Sequence, residues 1–221
     1  MAKSTGNTKF KIISAARKYF NHSGFSPVSL FELAQHMEMS RGNLTYHFKD
    51  KEVLLEAIAE ELWSKIEAER SKTRQLPSFE NLHNEIQLYQ RVQKDYAFIF
   101  HDSHVLNHPV IKKKFREMTE QTILDNTNII AFSIRIGNMN PERIAGTYRN
   151  IALLAWMVPF YWMPQQKLRG KQESEDAEKI IWSLLLPHFT EQGIKSFKAF
   201  FGESYFEDLG PAFDLTKLLS F

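Results

Sequence analysis

Two serines set the strongest local constraint on this chain. In "SLFE", Ser29 can cap a helix, and Glu32, three residues on, can reach back to the cap N–H to complete a capping box. Leu30, Leu33, Ala34 and Met37 then make one short amphipathic helix. "HMEM" reads as a tight connection, and Ser40 caps a second short helix whose Leu44 and Phe48 face inward. Upstream, Phe10, Ile13, Ala16 and Phe20 recur at three and four between Lys9 and Asn21, and Gly24 with Pro27 stops that helix. Downstream, Asp50 caps a long helix through Val53, Leu54, Ala57, Ile58, Leu62 and Ile66. Two short helices joined by such a turn describe a helix-turn-helix. In that geometry the first helix braces, and the second lies in a DNA major groove with its N-terminal residues on base edges.

The second helix, "SRGNLTYHF", carries the chemistry for that task. Arg41 can reach guanine O6 and N7 in bidentate fashion, Asn43 can do the same for adenine N6 and N7, and the Thr45 methyl can meet a thymine methyl. Gly42 lets backbone and phosphate approach closely. Tyr46 and His47 can donate to phosphate oxygens. Lys51 adds a charge at a helix N-terminus, where N–H groups already point outward, and Ser29 offers a second such terminus.

Charge agrees in sign. Residues 1–52 hold eight Lys/Arg against four Asp/Glu, net +4, while the remainder holds 20 against 22, net −2. A basic N-terminal unit on a slightly acidic body points to a polyanion partner for the first part only. The chain has no cysteine, which rules out disulfides, thiolate nucleophiles and cysteine metal sites. Its longest apolar run, Ile151 to Met163, contains a proline and is well short of the roughly 20 residues a membrane span needs. The polar N-terminus shows no signal peptide, so a cytoplasmic chain with no membrane partner is expected. Neither a glycine-rich phosphate loop nor a recognisable Ser/His/Asp arrangement is present, so the expectation is a non-enzyme that needs no cofactor.

The rest of the sequence reads as further helices. Ser78 can cap one running toward Phe100. "NHP" starts another at Pro109, which runs to about Phe132 and ends in "FSIRI". Asn140-Pro141 starts a third, kinked at Pro159 and stopped by Pro164. Ser174 begins a fourth, Pro187 interrupts, and Ile194 to Phe201 forms a last amphipathic stretch. The expected fold class is all-α: an N-terminal three-helix helix-turn-helix domain over residues 1–50, then a larger helical domain over 51–221.

Residues 9 to 55 resemble the DNA-binding region of the tetracycline-repressor (TetR) family. The matching stretches are "ISAARKYFNHSGF", "SLFELAQHMEMS" and "GNLTYHFKDKEVLL". Glu38 stands where the family usually has a glycine in the turn, and Thr45 where it often has tyrosine, with Tyr46 following. The resemblance implies a homodimeric repressor of transcription. It would bind a double-stranded palindromic operator and release it when a small-molecule effector enters the larger domain. Ser29, Arg41, Gly42, Asn43, Thr45, Tyr46, His47 and Lys51 would then contact DNA. The dimer bundle would come from roughly Pro141 to Met163 and Ser174 to Phe189, and Trp63 and Ile66 would couple the two domains.

Two other clusters invite a role. "WMVPFYWMP" concentrates aromatic rings, so Trp156, Phe160 and Tyr161 are candidates to line an apolar ligand pocket opened by a kink at Pro159, with Phe98, Phe100, Phe115 and Met118 alongside. The competing reading of these rings is plain core or interface packing. "HDSHVLNH" spaces His101, His104 and His108 along one ideal helix face, which raises a metal-dependent sensor or enzyme as an alternative from another class, although Pro109 argues against an unbroken helix. No metal is assigned. A transcriptional activator or ligand-independent regulator is the alternative within the DNA-binding class.

Overall fold

The computed structural model describes residues 2–73, 77–170 and 176–210. Among them all regular structure is helical, apart from one isolated bridge between Met139 and Phe189. Local signals decide the first four helices. α1 (Ala2–Ser23) closes at Gly24, whose φ is 80° and whose N–H reaches the Phe20 carbonyl. α2 (Leu30–His36) begins at the expected capping box: Ser29 Oγ accepts the Glu32 N–H at 3.2 Å, and the Glu32 carboxylate accepts the Ser29 N–H at 2.7 Å. α3 (Arg41–His47) is capped by Ser40, which accepts the Asn43 N–H at 3.1 Å. α4 (Lys51–Thr73) is capped by Asp50, which accepts the Val53 N–H at 2.8 Å.

The turn between α2 and α3 has a defined form. The Met39 N–H returns to the Ala34 carbonyl and the Glu38 N–H to the Gln35 carbonyl, both at 3.0 Å. This is a Schellman ending, which needs a left-handed residue after the cap. That residue is Glu38, with φ 53°, the one non-glycine residue with positive φ among those described. The turn thus keeps the backbone geometry of a glycine with a residue that carries a Cβ.

α5 (Phe79–Asp95) is capped by Ser78, as expected, but it does not run on to Phe100. It stops before Tyr96 and gives way to α6 (Ala97–His101) and α7 (Ser103–Asn107). Asp102 caps α7 through the N–H groups of His104 and Val105. α8 (Pro109–Arg135) has proline at its first position and carries "FSIRI" as its end. The helix expected from Asn140-Pro141 begins later. Residues 140–146 are held as a loop: the Asn140 amide donates to the His188 and Phe189 carbonyls, Glu142 accepts the Tyr148 N–H, and the Tyr148 hydroxyl donates to the Asn140 carbonyl. α9 (Thr147–Phe160) follows Gly146, at φ 91°. Pro164 does not end this helix. The break falls at Tyr161, and Pro164 sits in the first turn of α10 (Trp162–Arg169), where a missing N–H costs no helical bond. The start expected at Ser174 lies outside the described residues; α11 (Ala177–Leu185) is capped by Asp176. Pro187 lies in a 3-10 turn, Leu186–His188, and α12 (Glu191–Phe201) and α13 (Glu203–Glu207) complete the order.

The chain packs as two compact units, Met1–Gln75 with Gln87–Thr119, and Leu76–Ile86 with Glu120–Phe221. This division differs from the functional boundary expected at residue 50. In the first unit, α6 and α7 pack with the helix-turn-helix. Phe98 lies 5.3 Å from the Phe20 ring and 6.2 Å from Phe25. The Asn21 amide bridges the Asp95 carbonyl and the Phe98 N–H, and Asp102 accepts the Phe25 N–H. In the second unit, α9 packs on α11 around a core that includes Ile151, Ala152, Ile181, Trp182 and Phe197.

Candidate functional site

α3 is two-sided. Leu44 and Phe48 are buried, at 0% and 1% exposure, and fix the helix on its neighbours. Arg41, Gly42, Asn43 and Tyr46 are exposed, and Tyr46 keeps 78% of its surface in solvent. No hydrogen bond among the described residues engages the Arg41 guanidinium, the Asn43 amide or the Tyr46 hydroxyl. Arg41 and Asn43 stand at the first and third positions of the helix, just after the Ser40 cap. Thr45 turns its hydroxyl back to the Arg41 and Gly42 carbonyls, at 3.0 and 3.2 Å, which leaves the methyl as its outward group. Nothing lies within 4 Å of where a Cβ on Gly42 would stand, so a large partner can approach this turn closely. His47 is half-buried and meets Tyr46 edge-on at 5.2 Å. Lys49, with 82% of its side chain exposed, adds a cation just past the helix.

Two residues expected on phosphate have other work. The Lys51 ammonium donates to the Phe25, Ser26 and Val28 carbonyls at 3.0, 3.2 and 2.9 Å and sits 4.3 Å from the centre of the Phe25 ring. Its three donors are spent on the α1–α2 loop, so it braces the motif. Ser29 is closed into the capping box, where the Glu32 carboxylate also accepts from its hydroxyl at 2.8 Å. That carboxylate is held below its ordinary range by hydrogen bonds from the Ser29 N–H and hydroxyl. A carboxylate at the start of α2 disfavours a phosphate there.

The seven aromatic and methionine candidates for a ligand pocket lie elsewhere. Phe98, Phe100, Phe115 and Met118 belong to the first unit. Phe98 fills the space beside Phe20 and Phe25, and Phe115 packs edge-on against Phe100 and against Trp63, at 5.5 and 5.0 Å. Trp156, Phe160 and Tyr161 contact one another, with ring centres 5.0 to 6.2 Å apart. The second unit instead contains a cavity of about 250 Å³ whose walls are mostly aliphatic. Leu82 of α5, Ile129 and Ile130 of α8, Ile151 of α9 and Trp182 of α11 each supply part of it. Sequence reading missed these residues because they come from four separate helices and share no local pattern.

The histidine cluster does not assemble as a triad. His104 and His108 both turn toward Glu52, at 3.8 and 3.5 Å, and His108 also lies 3.8 Å from Glu56. Among the described residues no three histidine, aspartate or glutamate side chains converge to hold a metal ion. The break at Asp102 between α6 and α7 removes the continuous helix face on which the triad depended.

The fold and the α3 surface together define a DNA-binding regulator. Residues 12–58 match the model described as bacterial regulatory proteins, tetR family, and residues 59–197 match the one described as bacterial transcriptional repressor. The second match takes in more than half of the chain, and the chain belongs to the tetR family. A TetR-family transcriptional regulator from Marinobacter aquaeolei VT8 is similar in structure, with TM-score 0.76 and 22% identity over 90% of this chain and 98% of that one. AibR in complex with isovaleryl coenzyme A and operator DNA is similar at TM-score 0.61 and 15% identity, over 82% and 99%. The ketosteroid transcriptional regulator KstR2 of Mycobacterium tuberculosis is similar at TM-score 0.63 and 12% identity, over 83% and 96%. No curated protein matches the chain in sequence. No helix of the described residues is long and apolar enough to cross a membrane.

Proposed function

We propose that this TetR-family regulator is a homodimeric repressor that leaves a palindromic operator when a small apolar effector enters the cavity of its second unit. The observation that carries the DNA half is the α3 surface, where Arg41, Asn43 and Tyr46 keep their polar groups unengaged above buried Leu44 and Phe48. A short helix held this firmly from beneath is preorganised to read base edges. Arg41 and Asn43 read bases, the Thr45 methyl meets thymine, Tyr46 and His47 bind phosphate, and Gly42 admits the backbone. Ser29 and Lys51 act by framing the motif. The functional division is residues 1–50 for DNA and 51–221 for effector and dimer.

The dimer half is supported by a partly exposed apolar stripe. Leu153, Met157 and Tyr161, four residues apart on α9 and at its end, are 39%, 37% and 49% exposed, and Ile180 of α11 is 37% exposed. Paired stripes of this kind suit a four-helix interface between two copies. The effector half draws support from AibR, a structural neighbour caught with both a ligand and operator DNA. A dimer presents two recognition helices about one DNA turn apart, and an effector needs only a few kcal/mol of differential binding to change that spacing.

The test is selection of bound duplexes from a random library at near-physiological salt, with Arg41→Ala in parallel. The expected result is an enriched palindrome, with Arg41→Ala costing about 1–3 kcal/mol and relaxing one base pair per half-site. Binding without sequence enrichment that vanishes with salt would reduce α3 to phosphate attraction alone and overturn the base-reading role.

A further inference from the structure

The cavity has a chemical character that narrows its ligand. None of its lining residues carries a charge. A carboxylate or ammonium group would enter without a counter-ion and lose its hydration. One lining residue, however, is polar and deeply buried. Asn126 of α8 is 6% exposed, and its Nδ2 donates to the Ala152 carbonyl at 3.1 Å. Only the nitrogen of the amide can donate to a carbonyl, so this bond fixes the orientation of the side chain. The Oδ1 atom is left at the cavity wall as an acceptor with no partner among the described residues. Close by in sequence, Ser133 gives its hydroxyl proton to the Ile129 carbonyl, at 2.9 Å, and keeps only acceptor capacity toward the cavity. Ala155, also on the wall, loses its usual helical donor, because Pro159 four residues later has no N–H.

From this pattern we infer that the cavity takes a compact, uncharged, mainly apolar molecule bearing one hydrogen-bond donor, a hydroxyl or ring N–H, which Asn126 Oδ1 accepts. The inference rests on the reading of the cavity as the effector site and specifies its chemistry. Size follows from volume. A cavity of ~150 Å³ holds benzene, so about 250 Å³ holds roughly ten non-hydrogen atoms. Satisfying Oδ1 also separates ligands by their donors, since a buried acceptor left unmet penalises an isostere that lacks the proton.

Three ring compounds with equal numbers of non-hydrogen atoms test this by calorimetric titration of the full chain. Indole carries a donor, benzofuran replaces that N–H with an ether oxygen, and benzoate carries a charge. The expected result is indole binding about tenfold tighter than benzofuran, with no binding of benzoate. Asn126→Leu should bring indole and benzofuran to equal affinity, and Ala155→Phe, which fills the space, should abolish both. Equal affinities in the unaltered protein, both lost in Ala155→Phe, would overturn the donor requirement while leaving the cavity as a binding site. Preferential binding of benzoate would overturn the neutral character of the ligand. Indole binding unaffected by Ala155→Phe, or no binding of any of the three, would overturn the inference and the cavity reading together.

Discussion

Replacing Glu38 with glycine should make the protein more stable. The residue ends α2 in the left-handed region, at φ 53°, and its N–H and that of Met39 close the Schellman turn. A residue with a Cβ costs about 1–2 kcal/mol in this conformation. Glycine removes that cost but loses about 0.4–1 kcal/mol through the greater freedom of its unfolded chain. The balance favours glycine by about 0.5–1 kcal/mol, or about 1–4 °C in thermal midpoint for a chain of this size. Glu38 is exposed and has no side-chain hydrogen bond among the described residues, so little else is lost. The assay is thermal denaturation followed by circular dichroism, with Glu38→Ala as control. Alanine removes the carboxylate but keeps the Cβ, so it should give no comparable gain. An equal rise for alanine and glycine would assign the effect to charge, and a fall for glycine would refute the strain argument.

Three further outcomes follow from the packing. Gly193→Ala would drive a Cβ into the Asn138 carbonyl oxygen, so α12 must move from the 136–140 loop; a loss of about 3 kcal/mol is expected in urea denaturation, and an unchanged midpoint would refute the close approach. Lys51→Met removes the bonds of the ammonium to three carbonyls and should cost about 2–3 kcal/mol; unaltered stability would return this ammonium to a role on phosphate. Burial pushes the Glu61 carboxyl up, but hydrogen bonds from Lys65 and Tyr96, with the charges of Lys65 and Arg17, outweigh it and hold the group below its ordinary 4.5. A depressed folded value stabilises the protein above the unfolded value, and that contribution is lost as pH falls through the folded one. Glu61→Gln should therefore flatten the decline in stability below about pH 4.5, and an unchanged acid limb would count against the pairing.

The helix-turn-helix was legible because its signals are local. Ser29, Ser40 and Asp50 each cap within three residues, and such bonds form wherever the chain goes next. Even the departure at Glu38 was visible, since the turn demands a backbone shape that glycine takes most easily. The Asn140-Pro141 start failed because distant partners, the carbonyls of His188 and Phe189, held that segment as a loop. The contacts of Lys51 were hidden for the same reason: an ammonium at a helix start looks free until the loop 23 to 26 residues earlier wraps its carbonyls around it. The ligand candidates followed aromatic density along single segments, whereas the cavity is walled by residues from several helices, with Phe79, Phe132, Trp182 and Phe189 among its aliphatic neighbours.

The wall of that cavity around Asn138 and Met139 is stitched to the 188–192 segment by main-chain bonds and by the polar side chains of Asn140, Thr190 and Gln192, not by the apolar lining. The Thr190 N–H reaches the Asn138 carbonyl at 3.0 Å, the Asn140 N–H reaches His188 at 2.9 Å, and Met139 pairs with Phe189 in a short antiparallel bridge. None of these bonds uses an apolar side chain of the lining. Ile136, Met139 and Phe189 can thus be exchanged for larger or smaller residues while the frame that carries them stays in place. A lineage built on this scaffold could change its chemical signal by re-lining one chamber, with no need to redesign the walls.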